Sequence, residues 1–95
     1  MTRRVARLST TFRRSVIQLG LPAGSPGFRA VFATVAALAN ADELPGLGDD
    51  ETTFAPSRAF VRRVGGRNVW ILYRFDDDHV FAMTARGVPP VPVDD

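Results

Sequence analysis

Ninety-five residues, 45% of them apolar, suffice for one small domain with its own core and are too few for two. With no cysteine and one histidine, the chain excludes disulfides, thiolate metal centres and a transition-metal site of ordinary ligand count. The net charge of +2 hides a segregation: residues 1–41 hold six Arg and no acid, residues 42–57 five acids and no base, and residues 58–86 six Arg against three Asp.

All twelve basic residues are arginine, whose planar guanidinium suits bidentate phosphate contact better than an ammonium does. No run approaches the roughly 18 apolar residues of a membrane span. The opening MTRRVARLSTTFRRSVIQL sets arginines before an apolar portion, as a targeting peptide would. Arg13, Arg14 and Gln18 interrupt the unbroken apolar core that such a peptide needs. The expectation is a single domain over residues 1–95, working in the cytoplasm and away from membranes.

Arg3 to Ser9 alternates weakly and is a candidate first strand, with Val5, Arg7 and Ser9 on one face and Ala6 and Leu8 on the other. Phe12, Val16 and Leu19 then fall on one face of a short helix, with Ser9 or Thr10 as N-cap and Gly20 as its stop. A second helix starts at Ser25-Pro26, where a capping hydroxyl precedes a proline at the first helical position. Its apolar face is Phe28, Val31, Phe32, Val35, Leu38 and Ala39, and it ends near Asn40. Residues 42–57 are acidic and rich in Pro and Gly, a loop with one extended piece near Phe54. That loop is either an exposed connection or an acidic flap over a basic surface.

From Arg58 to Arg86 three β-rich runs are separated by Gly65-Gly66-Arg67 and Asp76-Asp77-Asp78, the pattern of a three-stranded meander. The tail GVPPVPVDD cannot continue as a central strand, because Pro89, Pro90 and Pro92 lack ladder donors. The fold class is therefore α+β: a helical hairpin, with the candidate strand before it, packed on a twisted antiparallel sheet.

Parity distributes the side chains of that sheet. In the middle strand Val69, Ile71, Tyr73 and Phe75 point one way, and Asn68, Trp70, Leu72 and Arg74 the other. A turn at 76–78 pairs 75 with 79, which adds His79, Phe81, Met83 and Ala85 to the apolar, helix-facing side. A three-residue first turn pairs 64 with 68, which brings Arg58 and Arg62 to the opposite side. The open face then carries Arg58, Arg62, Arg74 and Arg86 around Trp70, Asn68 and Thr84. A one-residue change in the first turn exchanges Arg62 for Arg63. Such a face is either the solvated side of a half-buried sheet or an anion site in which arginines hold phosphates and Trp70 stacks on a base.

A helical hairpin followed by RRVGGRNVWILYRFDDDHVFAMTAR resembles the RelE/ParE superfamily of small bacterial toxins. The arc that carries the resemblance is Ile71-Leu72-Tyr73-Arg74-Phe75, the acidic turn, the strand His79–Ala85 and Arg86. It implies the toxin of a type II toxin–antitoxin pair, with a cognate antitoxin as partner. RelE-like members cut mRNA on the ribosome as metal-independent endoribonucleases, and ParE-like members inhibit DNA gyrase. A non-toxic interaction module on the same fold is the further alternative. Arg62 or Arg63 matches basic residues before the first turn, and Arg86 the one ending the last strand. Trp70 stands where many members have arginine, and the tail lacks the Tyr or His of several nucleolytic members.

Cleavage by 2′-hydroxyl attack needs a base, an acid and charge stabilisation on phosphorus. Arginines supply the third. Tyr73 maps to the core face and reads as packed; His79, which begins the last strand beside three aspartates, is either a turn-flanking surface histidine or a proton donor. The resulting catalytic candidates are Arg62, Arg63, Arg86 and His79; the nucleic-acid-binding candidates are Arg58, Arg74, Trp70, Asn68 and Thr84. No metal or other cofactor is expected, since three consecutive aspartates at a hairpin tip read as a solvated turn.

Overall fold

The computed structural model describes residues 3–54 and 57–87, so the proline-rich tail lies outside the described residues. Seven elements follow in order: β1 (Val5–Leu8), α1 (Thr10–Gln18), α2 (Pro26–Asn40), β2 (Asp50–Phe54), β3 (Ser57–Arg63), β4 (Trp70–Phe75) and β5 (His79–Arg86). The strands form one sheet in the order β1-β5-β4-β3-β2. Three hairpins join β2 to β5, while β1 pairs with β5 in parallel. The sheet is thus mixed, not wholly antiparallel. The chain leaves β1 through both helices, enters at the far edge and meanders back until β5 lies beside its starting strand.

Local chemistry sets the helix starts. The Phe12 N–H donates to Ser9 Oγ at 2.9 Å, and the Phe28 N–H to Ser25 Oγ at 3.2 Å, each filling one donor that the first turn leaves unpaired. After α1, Gly20 takes a φ of +73°, a conformation side chains resist. Both helices lie on one face of the sheet. Phe12, Val16, Val31, Val35 and Leu38 pack there against Val64, Val69, Ile71, Tyr73, Val80, Ala82 and Ala85. Burying one large apolar side chain contributes roughly 1.5–3 kcal/mol, so this layer is the main source of stability. No described helix is long and apolar enough to cross a membrane.

Two registers differ from the sequence expectation, and both change which side chains face outward. Phe60 pairs with Tyr73 and Arg63 with Trp70, and the Val64 N–H reaches Val69 O at 2.8 Å. The first turn therefore holds four residues, 65–68, and β3 is turned over relative to a three-residue turn. Arg58, Phe60 and Arg62 share the helix-side face, and Ala59, Val61 and Arg63 the open one.

At the second turn Phe75 pairs with Val80, and the Asp76 N–H donates to His79 O at 3.0 Å. Only Asp77 and Asp78 remain in the loop. Asp76 Oδ1 closes it by accepting the N–H groups of Asp78 and His79 at 2.8 and 2.7 Å. Consequently Val80 and Ala82 face the helices, whereas His79, Phe81 and Met83 lie on the open side. A bulge opposite Leu72/Tyr73 then restores the expected phase, with Ala85 inward and Thr84 and Arg86 outward.

Candidate nucleic-acid interface

The face without helices is built from β1, β5, β4 and β3. Its middle is a small apolar cluster in which Trp70 and Met83 lie against buried Ala59, Val61 and Leu72. Around this cluster stand four arginines, one from each of those strands: Arg7, Arg86, Arg74 and Arg63. Pairing fixes their places. Arg86 lies opposite Trp70 on β4, and Trp70 lies opposite Arg63 on β3. Arg7 and Arg74 are the two cross-strand partners of Phe81. Asp50 shares the face but sits on the edge strand, opposite Val61.

Arg63 is the best-fixed of the four. Its Nε donates to Arg67 O at 2.9 Å and one Nη to Asn68 Oδ1 at 3.0 Å, both within the Gly65–Asn68 turn. This fastening holds the guanidinium carbon 5.4 Å from the centre of the Trp70 ring. Asn68 thus orients an arginine. Trp70, a large aromatic on the open face that needs either a partner or a ligand, has its partners within the fold: Arg63 and the apolar cluster. Beside Arg86, a cleft of about 290 Å³ is lined by Ser9, Thr11, Met83 and Thr84. Ser9 cannot offer its proton to a ligand there, because its hydroxyl donates to Met83 O at 2.9 Å.

Two arginines expected on this face are absent from it. Arg62 points to the helix side and donates twice to Asp49, Nε to Oδ1 at 2.7 Å and Nη2 to Oδ2 at 2.9 Å. The Tyr73 hydroxyl donates to the same Oδ2, joined by the Gly46 N–H at 2.9 Å. Burial acts to raise the Asp49 pKa. The Arg62, Tyr73 and Gly46 hydrogen bonds outweigh it and hold the carboxyl below its usual range. Burial, reinforced by the Asp49 carboxylate, pushes the Tyr73 hydroxyl up, so it remains a donor. Arg58, likewise on the helix-side parity, forms a bidentate pair with Glu51 at 2.6 and 2.7 Å. The acidic segment therefore neutralises β3 from the helix side and is not a flap over the open face.

His79 is on the open face, with its ring stacked on Phe81 at 5.6 Å between centroids and Nδ1 3.3 Å from Asp76 Oδ1. It does not join Arg86. The two stand at opposite ends of β5, seven residues apart, or about 23 Å at the rise of a strand. The face accordingly has two arginine-bearing ends: Arg63 and Arg86 at one, Arg7 and Arg74 beside His79 at the other. Arg7 and Phe81 were absent from the sequence-derived site. Arg7 belongs to a strand whose partner is 74 residues distant in sequence, and Phe81 faces outward only in the register set by the two-residue turn.

This arrangement matches a known architecture. The crystal structure of YafQ from E. coli strain BL21(DE3) superposes with a TM-score of 0.59, covering 87% of this chain and 91% of that one at 13% identity. The two chains share a fold. No family model matches the sequence, and neither does any curated protein. The likeness is thus one of architecture: two helices on one face of a five-stranded mixed sheet, with the other face open.

Proposed function

We propose that the protein is the toxin of a type II toxin–antitoxin pair and acts on mRNA through its open sheet face. The observation that carries this reading is the ring of Arg7, Arg63, Arg74 and Arg86 around apolar and aromatic side chains, on a RelE-like fold. Guanidiniums about an apolar centre suit a chain of phosphates with bases turned inward. A polar, solvated sheet face would not concentrate one sign of charge around a tryptophan, a methionine and a phenylalanine.

In the catalytic version, a ribose 2′-oxygen attacks the adjacent phosphorus as its proton leaves, and the 5′-oxygen departs and takes up a proton. Imidazole is the side chain suited both to take up and to release a proton in such a step, and Asp76 beside Nδ1 leaves Nε2 of His79 for proton exchange. Arg7 and Arg74 flank that end and would neutralise the charge gathering on phosphorus. Arg63 and Arg86 would hold phosphates farther along the strand. Arg62, paired with Asp49, and Tyr73, buried beneath the sheet, take no part in the chemistry. Such a toxin would act in the cytoplasm, on translated mRNA, held in check by a cognate antitoxin.

One observation favours a second reading. The Arg63–Arg86 end, which best matches the basic residues of the RelE/ParE resemblance, lies about 23 Å from His79 and has no proton carrier among its described neighbours. A non-catalytic toxin of the gyrase-inhibiting kind would need none. Induced expression separates the cases. Growth arrest is expected from the wild-type chain and should be relieved by Arg86→Ala with unchanged thermal stability. Arrest together with inhibited DNA supercoiling by purified gyrase would transfer the reading to the second class. Normal growth under strong induction would sink both.

A further inference from the structure

Among the described residues, Phe81 is one of four large apolar side chains left in the open, with 38% of its surface exposed. Lone exposed apolar residues are common and need no explanation; the neighbours of this one do. Its cross-strand partners are arginines on both sides, Arg7 in β1 and Arg74 in β4. The three side chains make a row across the sheet, cation–aromatic–cation, at the spacing of adjacent strands, about 4.8 Å. Shallow depressions of about 320 and 360 Å³ lie either side of the ring, the first lined by Arg7, His79 and Met83, the second by Arg74 and Met83. The His79 imidazole stacks against one face of the Phe81 ring, 5.6 Å between centroids, whereas Trp70 is covered by Arg63 and seated on the Val61–Leu72 cluster.

We propose that Arg7, Phe81 and Arg74 form a nucleotide subsite for single-stranded RNA. An unpaired base stacks on Phe81 while the phosphates before and after it lie on the two guanidiniums. This inference rests on the RNA reading above and sharpens it: the substrate must be unpaired at this position, because a base inside a duplex cannot present its face to the ring. The subsite selects strandedness and not sequence, since every base has a face to stack and no side chain in the row is placed to read a base edge by parity alone.

The test is anisotropy with a labelled ten-nucleotide RNA, single-stranded or annealed to its complement. Wild-type protein should bind the single strand more tightly. Phe81→Ala should weaken that binding about 5- to 100-fold, leave duplex binding within twofold and leave the melting temperature unchanged; Phe81→Trp should restore single-strand affinity. Equal effects of Phe81→Ala on single strand and duplex, or none on either, would overturn the subsite. In that event a wild-type chain that still binds RNA and arrests growth keeps the toxin reading intact. A wild-type chain that binds neither RNA overturns the subsite and the RNA reading together.

Discussion

At the scale of single residues, Asp49 holds Arg62 on the helix side of the sheet. It accepts from Arg62, Tyr73 and Gly46, and its own side chain is 3% exposed. Removing its charge leaves Arg62 without a counterion in a site where that side chain is only 23% exposed. Asp49→Asn should therefore cost roughly 2–3 kcal/mol at pH 7, below the range for full burial because water still reaches the guanidinium. The pH dependence has a definite sign. A carboxyl held low in the folded state is protonated first in the unfolded chain, so its contribution is complete above the ordinary carboxylate range. It is lost as pH falls through the folded pKa. Urea melts from pH 7 downward should show wild-type stability falling more steeply than that of Asp49→Asn below about pH 4; parallel curves would contradict the assignment. Gly46 belongs to the same cluster, since a Cβ there would meet the Arg62 guanidinium.

At the scale of elements, Ser9 ties α1 to β5. It caps α1, its N–H reaches Ala82 O at 3.2 Å, and its hydroxyl donates to Met83 O beside the bulge. Just beyond, Ser15 of α1 accepts the Ala85 N–H at 2.9 Å. The start of α1 thus satisfies the part of β5 that extends past the end of β1. Ser9→Ala should lower stability by about 1–2 kcal/mol and speed amide exchange at Phe12; an unchanged rate there would argue against the cap.

The helices were legible in the sequence because their signals are local: Ser9, Ser25-Pro26, and apolar residues at helical spacing. The odd-numbered inward face of β4 was equally legible, since alternation alone reveals it. The strand registers were not. Each hangs on one residue of turn length, four in the first hairpin and two in the second, and the bulge answers to serines in a helix seventy residues away. Hence Arg74, Arg86, Trp70 and Thr84 were correctly placed on the open face, whereas Arg62 exchanged with Arg63, and Phe81 and Met83 moved outward.

At the scale of the whole molecule, the segregated charge has a structural use. Asp49 and Glu51 of the acidic stretch neutralise Arg62 and Arg58 on the helix side of the sheet. Arg4 of the basic N-terminal stretch is also engaged, donating to Asp76 O at 2.7 Å and to Ala41 O at 3.1 Å. The open face instead draws its cations from four separate strands, with Asp50 alone among described strand acids sharing it, at the edge. A cationic surface assembled in this way attracts a polyanion over its whole length, with affinity that falls as salt rises. Chemistry needs more than attraction, and the proposed cleavage assigns the proton transfer to His79. The most direct test is to map the 5′ ends of cellular mRNA after brief induction of the wild-type chain, Arg86→Ala and His79→Asn. New ends within translated messages are predicted for the wild type and should be lost in both variants; growth arrest with unaltered mRNA ends would contradict the account.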